Sequence, residues 1–182
     1  MILGLTGYMG VGKTTASKFF HDAIAINVDE VAHEILTKGS EPYKKVVRAF
    51  GKKILDEEEH ISRVKLADLV FVNEDKLKKL EKITHPLISQ IVNDIAENEK
   101  KKFIVIDCAI LEKLSLDNIC DKILLIEATE KTISQRVEFT HEEIMKRRKS
   151  QKISKFDYTI KNNGSLEELK EHILSFQGTL FK

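Results

Sequence analysis

The chain has 182 residues, with 30 Lys and Arg against 29 Asp and Glu and a formal net charge of +1. This length allows one well-buried core with a small additional lobe, and the balanced charge gives no reason to expect a nucleic-acid partner. No apolar run approaches the ~20 residues that a membrane-spanning helix needs. The first apolar segment starts at Ile2, which leaves no place for a targeting peptide. We therefore expect a cytoplasmic protein that binds neither membranes nor nucleic acid, and the sequence makes no prediction of its oligomeric state.

Five short apolar runs predict β-strands. They cover residues 2–6, 25–28, 103–107, 123–127 and, less regularly, 158–161. Runs that are apolar throughout are typical of strands covered on both faces. Because helical periodicity separates them, the pattern predicts an α/β fold in three layers, with a mainly parallel sheet between helices.

The first strand leads into Gly7-Tyr8-Met9-Gly10-Val11-Gly12-Lys13-Thr14, a full match to the P-loop signature G-x-x-x-x-G-K-[ST]. In such a loop, backbone N–H groups surround phosphate oxygens at the start of the following helix, and Lys13 reaches the β- and γ-phosphates. No guanine-reading Asn-Lys-x-Asp segment accompanies it, which argues against a GTPase switch. The predicted nucleotide-binding residues of the loop are Gly7, Met9, Gly10, Val11, Gly12, Lys13, Thr14 and Thr15.

Two residues are candidates for a magnesium site. The Thr14 hydroxyl follows the P-loop lysine, and Asp107 ends an apolar strand, where P-loop proteins commonly place an acid beside Mg²⁺. The alternative for Asp107 is a strand-terminal residue that caps the next turn. We expect Mg²⁺ and ATP as cofactors.

Asp29 follows the second predicted strand and is the candidate catalytic acid or base. At the end of a parallel strand it would face the ligand and could take a proton from an acceptor hydroxyl, or align it. The alternative is an N-cap for a helix beginning at Glu30, a position where Asp is favoured.

Residues 41–98 form a long helical insert between the second and third strands, predicted to bind the acceptor. Ser40 and Pro42 mark a helix start, as cap and first-turn residue. A further helix is predicted to open at Pro86. His85, just before it, is a candidate acceptor contact or a residue of the turn, and His33, on the helix after Asp29, is expected to face the acceptor.

The segment around residues 137–155 is predicted to be a lid. Thr140-His141-Glu142-Glu143 forms a capping box and Lys146-Arg147-Arg148-Lys149 closes the helix, an arrangement that the helix dipole alone would favour. The functional interpretation is that Arg147 reaches the triphosphate and stabilises the transferred charge. Gln151, four residues later, shares its face.

The whole pattern resembles the dephospho-coenzyme A kinase family along nearly the full length. The residues that carry the resemblance are Gly4-Leu5-Thr6-Gly7, Lys13-Thr14, Asp29 with Ala32 and Glu34, Phe50-Gly51, Leu69-Val70-Phe71, Thr84-His85-Pro86-Leu87-Ile88, Asp107, Leu111, Cys120-Asp121-Lys122-Ile123, Arg147, Gln151 and Ile160-Lys161-Asn162-Asn163-Gly164. The resemblance implies a single P-loop kinase domain over residues 1–182 that phosphorylates the ribose 3′-hydroxyl of dephospho-coenzyme A. It also implies that Asp29 serves that hydroxyl and that Arg136, Arg147 and Gln151 contact the nucleotide.

The chain departs from the family pattern at several positions. Asn27 replaces an Asp, His33 an Arg and Ala109 a Pro, while the nearest candidate for a usual Glu is Glu112. Because acceptor choice is not fixed by fold, two other functions stay open: a P-loop kinase for a nucleoside, nucleotide or other alcohol, and a regulatory protein that binds ATP without turnover.

Overall fold

The computed structural model describes residues 1–99, 102–137, 148, 151 and 153–181. It divides into two compact units, Met1–Asn27 with Asn93–Lys182, and Val28–Val92. The first unit contains a β-sheet and the second is helical. Within the described ranges, no helix is both long and apolar enough to cross a membrane.

The first unit is built on a five-stranded parallel sheet. Its strands are Ile2–Thr6 (β1), Ala23–Asn27 (β2), Phe103–Asp107 (β3), Lys122–Glu127 (β4) and Tyr158–Lys161 (β5). They lie in the order β2-β3-β1-β4-β5, and each neighbouring pair is parallel. The predicted α/β class and mainly parallel sheet are therefore confirmed, with β2 starting two residues earlier than its apolar run indicated.

Apolar packing covers the sheet. All five residues of β3 are buried, so both faces of that strand are covered. On one face, Leu3 and Leu5 of β1 join an apolar cluster with three helices: α1 (Lys13–Ser17), α6 (Glu130–Arg136) and α7 (Leu166–Leu180). The capping box predicted for Ser165 is present at the start of α7.

The second unit has its own apolar core. Its helices are α2 (Val28–Glu34), α3 (Glu41–Phe50), α4 (Arg63–Phe71) and the first part of α5 (Glu74–Asn98). The predicted start of α3 is confirmed, because Ser40 Oγ accepts a hydrogen bond from Tyr43 N at 3.1 Å. Buried side chains of the core are Val46, Phe50, Ile54, Leu55, Leu66 and Val70.

The prediction of a helix start at Pro86 is wrong, because α5 runs through Pro86 without a break. Proline removes one helical hydrogen bond, the one to the carbonyl four residues earlier, at Lys82. Both residues are exposed, where water can take the place of the missing donor. The apolar period on either side of Pro86 thus belongs to one helix, and His85 lies in its interior.

Because all five strands are parallel, their carboxyl ends share one edge of the sheet. The P-loop follows β1 at this edge, Asp107 ends β3 there, and Asn162 follows β5. Open parallel sheets bind ligands at this edge.

Candidate active site

The backbone of the P-loop requires glycine where the loop meets the helix. Gly12 has φ +94, a left-handed conformation that L side chains rarely adopt. A Cβ atom at this position would lie 2.5 Å from Nδ2 of Asn162, closer than real contacts allow. The loop is therefore closed against the segment after β5 with no space for a side chain at residue 12.

Lys13 begins helix α1 and its ammonium group lies over the loop. Its Nζ donates to the carbonyl oxygen of Tyr8 at 3.2 Å. This contact holds the charge above the same backbone that would surround phosphate oxygens. A phosphate bound there could accept from Nζ after a small rotation of the side chain.

Thr14 and Asp107 lie together, as the magnesium prediction requires. The Thr14 hydroxyl donates to Asp107 Oδ2 at 2.7 Å, although 93 residues separate them in the chain. Asp107 is 4% exposed. A hydroxyl and a carboxylate are the hard oxygen ligands that Mg²⁺ prefers, and it usually binds one or two protein oxygens with the substrate's phosphates. The residues present fit Mg²⁺.

Asn162 is a residue of the site that sequence reasoning did not assign. Its side chain is buried, and Nδ2 donates to the carbonyl of Val11 in the P-loop at 2.8 Å. Arg136 Nη1 donates to the Asn162 carbonyl at 3.1 Å, and Nη2 to the Gly164 carbonyl at 3.3 Å. The signal in the sequence was an amide directly after a strand that ends at the ligand edge.

Arg136, the last residue of α6, lies beside the P-loop. With Gly12, Thr15 and Asn162 it lines a cavity of about 220 Å³. Its hydrogen bonds to the carbonyls of Asn162 and Gly164 fix the plane of the guanidinium group. A guanidinium group held in this way can pack against a planar ring.

The predicted lid lies mostly outside the described residues. Arg147, the capping box at Thr140 and residues 138–146 belong to the part that is not described. Arg148 is described: its Cζ lies 5.2 Å from the centre of the Tyr8 ring, and Nη1 lies 3.3 Å from Glu130 Oε1. Gln151 N donates to the Arg148 carbonyl at 3.0 Å.

Asp29 and His33 line a cavity of about 580 Å³ in the second unit. Helix α2 begins at Val28, so Asp29 lies in its first turn and is not the N-cap of a helix starting at Glu30. An acid in the first turn is favoured by the helix dipole. Its side chain is exposed to the cavity and to solvent.

Two other positions from the sequence have different surroundings. His85 is half-buried inside α5 and is not among the residues that line the cavity of Asp29. Glu112 accepts from Ser154 Oγ at 2.6 Å and from Lys155 N at 3.3 Å. Glu112 therefore ties the segment before β5 to the residues after β3.

Neither cysteine offers a reactive thiolate. Cys108 is buried. Burial, with the nearby charges of Asp117 and Asp121, raises the pKa of Cys120 to about 12. Both thiols are thus poor candidates for nucleophilic catalysis, which requires the thiolate.

Comparisons with known proteins agree with this geometry. The family profile described as dephospho-CoA kinase (CoaE) matches residues 1–168. A dephospho-CoA kinase of Aquifex aeolicus is 37% identical, covering 94% of this chain and 93% of its own, and one of Fusobacterium nucleatum is 35% identical, covering 99% and 98%.

Solved structures extend the likeness to three dimensions. The dephospho-CoA kinase of Campylobacter jejuni superposes with a TM-score of 0.69 at 25% identity, over 98% of this chain and 96% of its own. The shikimate kinase of Aquifex aeolicus, at a TM-score of 0.53 and 18% identity over 100% and 99%, shares the fold. With a matching profile over most of its length and relatives above 30% identity, the chain belongs to the dephospho-CoA kinase family.

Proposed function

We propose that the chain transfers the γ-phosphoryl group of ATP to the ribose 3′-hydroxyl of dephospho-CoA with the residues assigned below. Membership of the family supports this reaction, the ATP-dependent phosphorylation of dephospho-CoA in coenzyme A biosynthesis. The observation that carries the assignment is the 2.7 Å hydrogen bond from Thr14 of the P-loop to Asp107 at the end of β3. It joins the two oxygens expected beside a metal–triphosphate complex.

The P-loop and Lys13 bind the triphosphate. Backbone N–H groups of the loop and the Lys13 ammonium meet the phosphate oxygens, with Lys13 placed over the loop by its contact with Tyr8. Thr14 and Asp107 would hold Mg²⁺, which neutralises charge on the phosphates when it is bound. Asp107 accepts a hydrogen bond from the Thr14 hydroxyl and so fixes the position of the Thr14 oxygen.

Asp29 serves the acceptor. It lines a cavity large enough for part of a nucleotide, and a carboxylate there can align a hydroxyl and receive its proton. Phosphoryl transfer depends chiefly on positioning and charge stabilisation, so alignment is the larger part of its role. His33 lines the same cavity. The second unit, Val28–Val92, overlaps the insert at about residues 41–98 to which we assign acceptor binding.

Arg136, Arg147 and Gln151 complete the proposed nucleotide site. The cavity that Arg136 shares with Gly12 supports its role as a nucleotide contact. The roles of Arg147 and of the lid at about residues 137–155 rest on the sequence pattern and on the resemblance, because Arg147 lies outside the described residues. We also propose a cytoplasmic location, which the sequence pattern predicts and where the substrates of this reaction would be found.

An acceptor panel separates this proposal from its rivals. Purified protein is incubated with ATP, Mg²⁺ and, in turn, dephospho-CoA, adenosine, AMP and shikimate, and ADP and the phosphorylated product are measured. The proposal predicts ADP release with dephospho-CoA and a product phosphorylated at the 3′-hydroxyl. Turnover of a nucleoside without turnover of dephospho-CoA would favour the other small-molecule kinase, and ATP binding with no turnover would favour the regulatory protein.

A further inference from the structure

A hydrogen bond between two side chains lies in the cavity of about 580 Å³ that Asp29 lines. Arg63, the first residue of α4, donates from Nε to Nδ1 of His33 on α2 at 3.2 Å. Both residues line the same 580 Å³ cavity as Asp29. The two residues are 30 positions apart in the chain and lie on different helices. Each side chain therefore restricts the orientation of the other.

The other basic side chains that line this cavity, Lys38 and His60, already have partners. Lys38 Nζ donates to the Glu58 carbonyl at 2.8 Å and lies 3.3 Å from Glu59. His60 Nδ1 lies 3.5 Å from a carboxylate oxygen of Glu58. Within the described ranges, the two Nη groups of Arg63 have no protein partner, and its Nε contact is to a neutral acceptor. Arg63 thus presents an unneutralised, forked donor to the cavity.

The chemistry of the pair fixes the state of the imidazole. A guanidinium group only donates hydrogen bonds, so Nδ1 of His33 must be the acceptor and carry no proton. This contact therefore requires the imidazole tautomer that carries its proton on Nε2. Protonation of Nδ1 would remove the acceptor and place two cations 3.2 Å apart.

We propose that His33 is a positioning residue, which holds the Arg63 guanidinium in the cavity so that its Nη groups bind the diphosphate of the acceptor. Dephospho-CoA carries this diphosphate next to the ribose that is phosphorylated, and a guanidinium fork matches two phosphate oxygens. The inference rests on the proposed function, because it assumes that this cavity receives the acceptor. In this inference Arg63 binds the charged diphosphate of the acceptor, and His33 orients Arg63.

The first test separates binding from chemistry. In His33→Ala, Arg63 loses its orientation, so KM for dephospho-CoA should rise about tenfold, with kcat and KM for ATP nearly unchanged. In His33→Asn, the side-chain oxygen takes the place of Nδ1 and should restore most of the affinity. An increase of equal size in both variants, or a fall in kcat with no change in KM, would overturn the positioning role.

Coupling to Arg63 is the second test. Arg63→Ala should raise KM for dephospho-CoA by about a hundredfold, since it removes a charged contact. His33→Ala should then have no further effect in the Arg63→Ala background, because its effect passes through Arg63. Additive effects would overturn the inference. Both side chains are exposed, and thermal unfolding of each variant checks that the fold is kept.

Turnover by the wild-type protein distinguishes a failure of the role of His33 from a failure of the proposed function. Turnover of dephospho-CoA with an unchanged KM in His33→Ala removes only the role of His33. No turnover of dephospho-CoA by the wild-type protein overturns the proposed function and this inference together.

Discussion

At the scale of single residues, the phosphate site depends on partners that are distant in sequence. Gly12 faces Asn162, and Thr14 bonds to Asp107. Lys13, by contrast, donates to the carbonyl of Tyr8, which is only five residues earlier in the same loop. The loop's shape is thus set by the segments that follow β3 and β5 as well as by its own glycines.

Gly12→Ala should destabilise the protein and abolish ATP binding. The new Cβ atom would have an unfavourable φ and would also meet Asn162 Nδ2. Gly39→Ala is the matched control, because Gly39 has φ +90 but no atom within 4 Å of its Cβ position. We expect the control to cost about 1 kcal/mol from backbone strain alone, and Gly12→Ala clearly more. Thermal unfolding and ATP titration measure both, and equal costs would contradict the close contact.

Thr14→Ala should lower kcat by about a hundredfold or more, since it removes an oxygen from the proposed metal site. Thr14→Ser keeps the hydroxyl and should stay within about tenfold of the wild type. Asp107→Asn should raise the Mg²⁺ concentration needed for half-maximal rate. If Asp107→Asn changed stability but not the Mg²⁺ dependence, Asp107 would be a strand-terminal cap and not part of the metal site.

Asp29→Asn should reduce turnover far more than ATP binding, because Asp29 acts on the acceptor. Glu30→Gln is the matched control: Glu30 lies in the same first turn of α2 but does not line the cavity. Both variants lose one favourable charge at the helix start, worth about 0.3–1 kcal/mol. Equal loss of stability and activity in the two variants would mean that Asp29 only stabilises the start of α2.

At the scale of elements, a carboxylate ties the start of β5 to β4. Asp157 Oδ2 accepts from Ile123 N at 2.8 Å, and Oδ1 lies 3.1 Å from Lys122 Nζ. The backbone N–H of Ile123, with the Lys122 ammonium, holds the pKa of Asp157 below its usual value of 3.8. The edge strand that leads to Asn162 is therefore fixed at both ends, since Asn162 N donates to the Glu127 carbonyl.

Asp157→Asn should cost at most about 1 kcal/mol at neutral pH, because the group is partly exposed. A carboxylate with a lowered pKa in the folded state stabilises the fold above its unfolded pKa, and this contribution is lost as the pH falls through the folded value. The stability difference from wild type should therefore shrink below about pH 3.8. Urea unfolding across pH tests this, with exposed Asp68→Asn as control, and a pH-independent difference would contradict it.

The elements were predictable from the sequence to different degrees. Strands β1 and β3 are short apolar runs bounded by turn residues, and their limits were correct. Helix α5 was divided at Pro86 because proline usually starts or breaks a helix. An exposed position in a long helix with strong apolar packing on both sides tolerates it, and only the folded structure reveals that exposure.

At the scale of the whole molecule, the parts of the site that lie close in sequence could be predicted and the long-range contacts could not. The P-loop is a local motif, and Asp107 could be assigned because parallel strands end at one edge. The Asn162 contact to Val11 spans 151 residues, and the Arg63 contact to His33 joins two helices. Neither has a local pattern, since side-chain pairing across elements depends on packing.

The most direct test of the whole account is ADP release with ATP, Mg²⁺ and dephospho-CoA, in the wild-type protein and in Lys13→Ala. We predict release that requires dephospho-CoA, matches the 3′-phosphorylated product mole for mole, and disappears in the variant, which lacks the phosphate-contacting ammonium. Release that is independent of dephospho-CoA, or that survives in Lys13→Ala, would contradict the assignment of this P-loop to phosphoryl transfer onto dephospho-CoA.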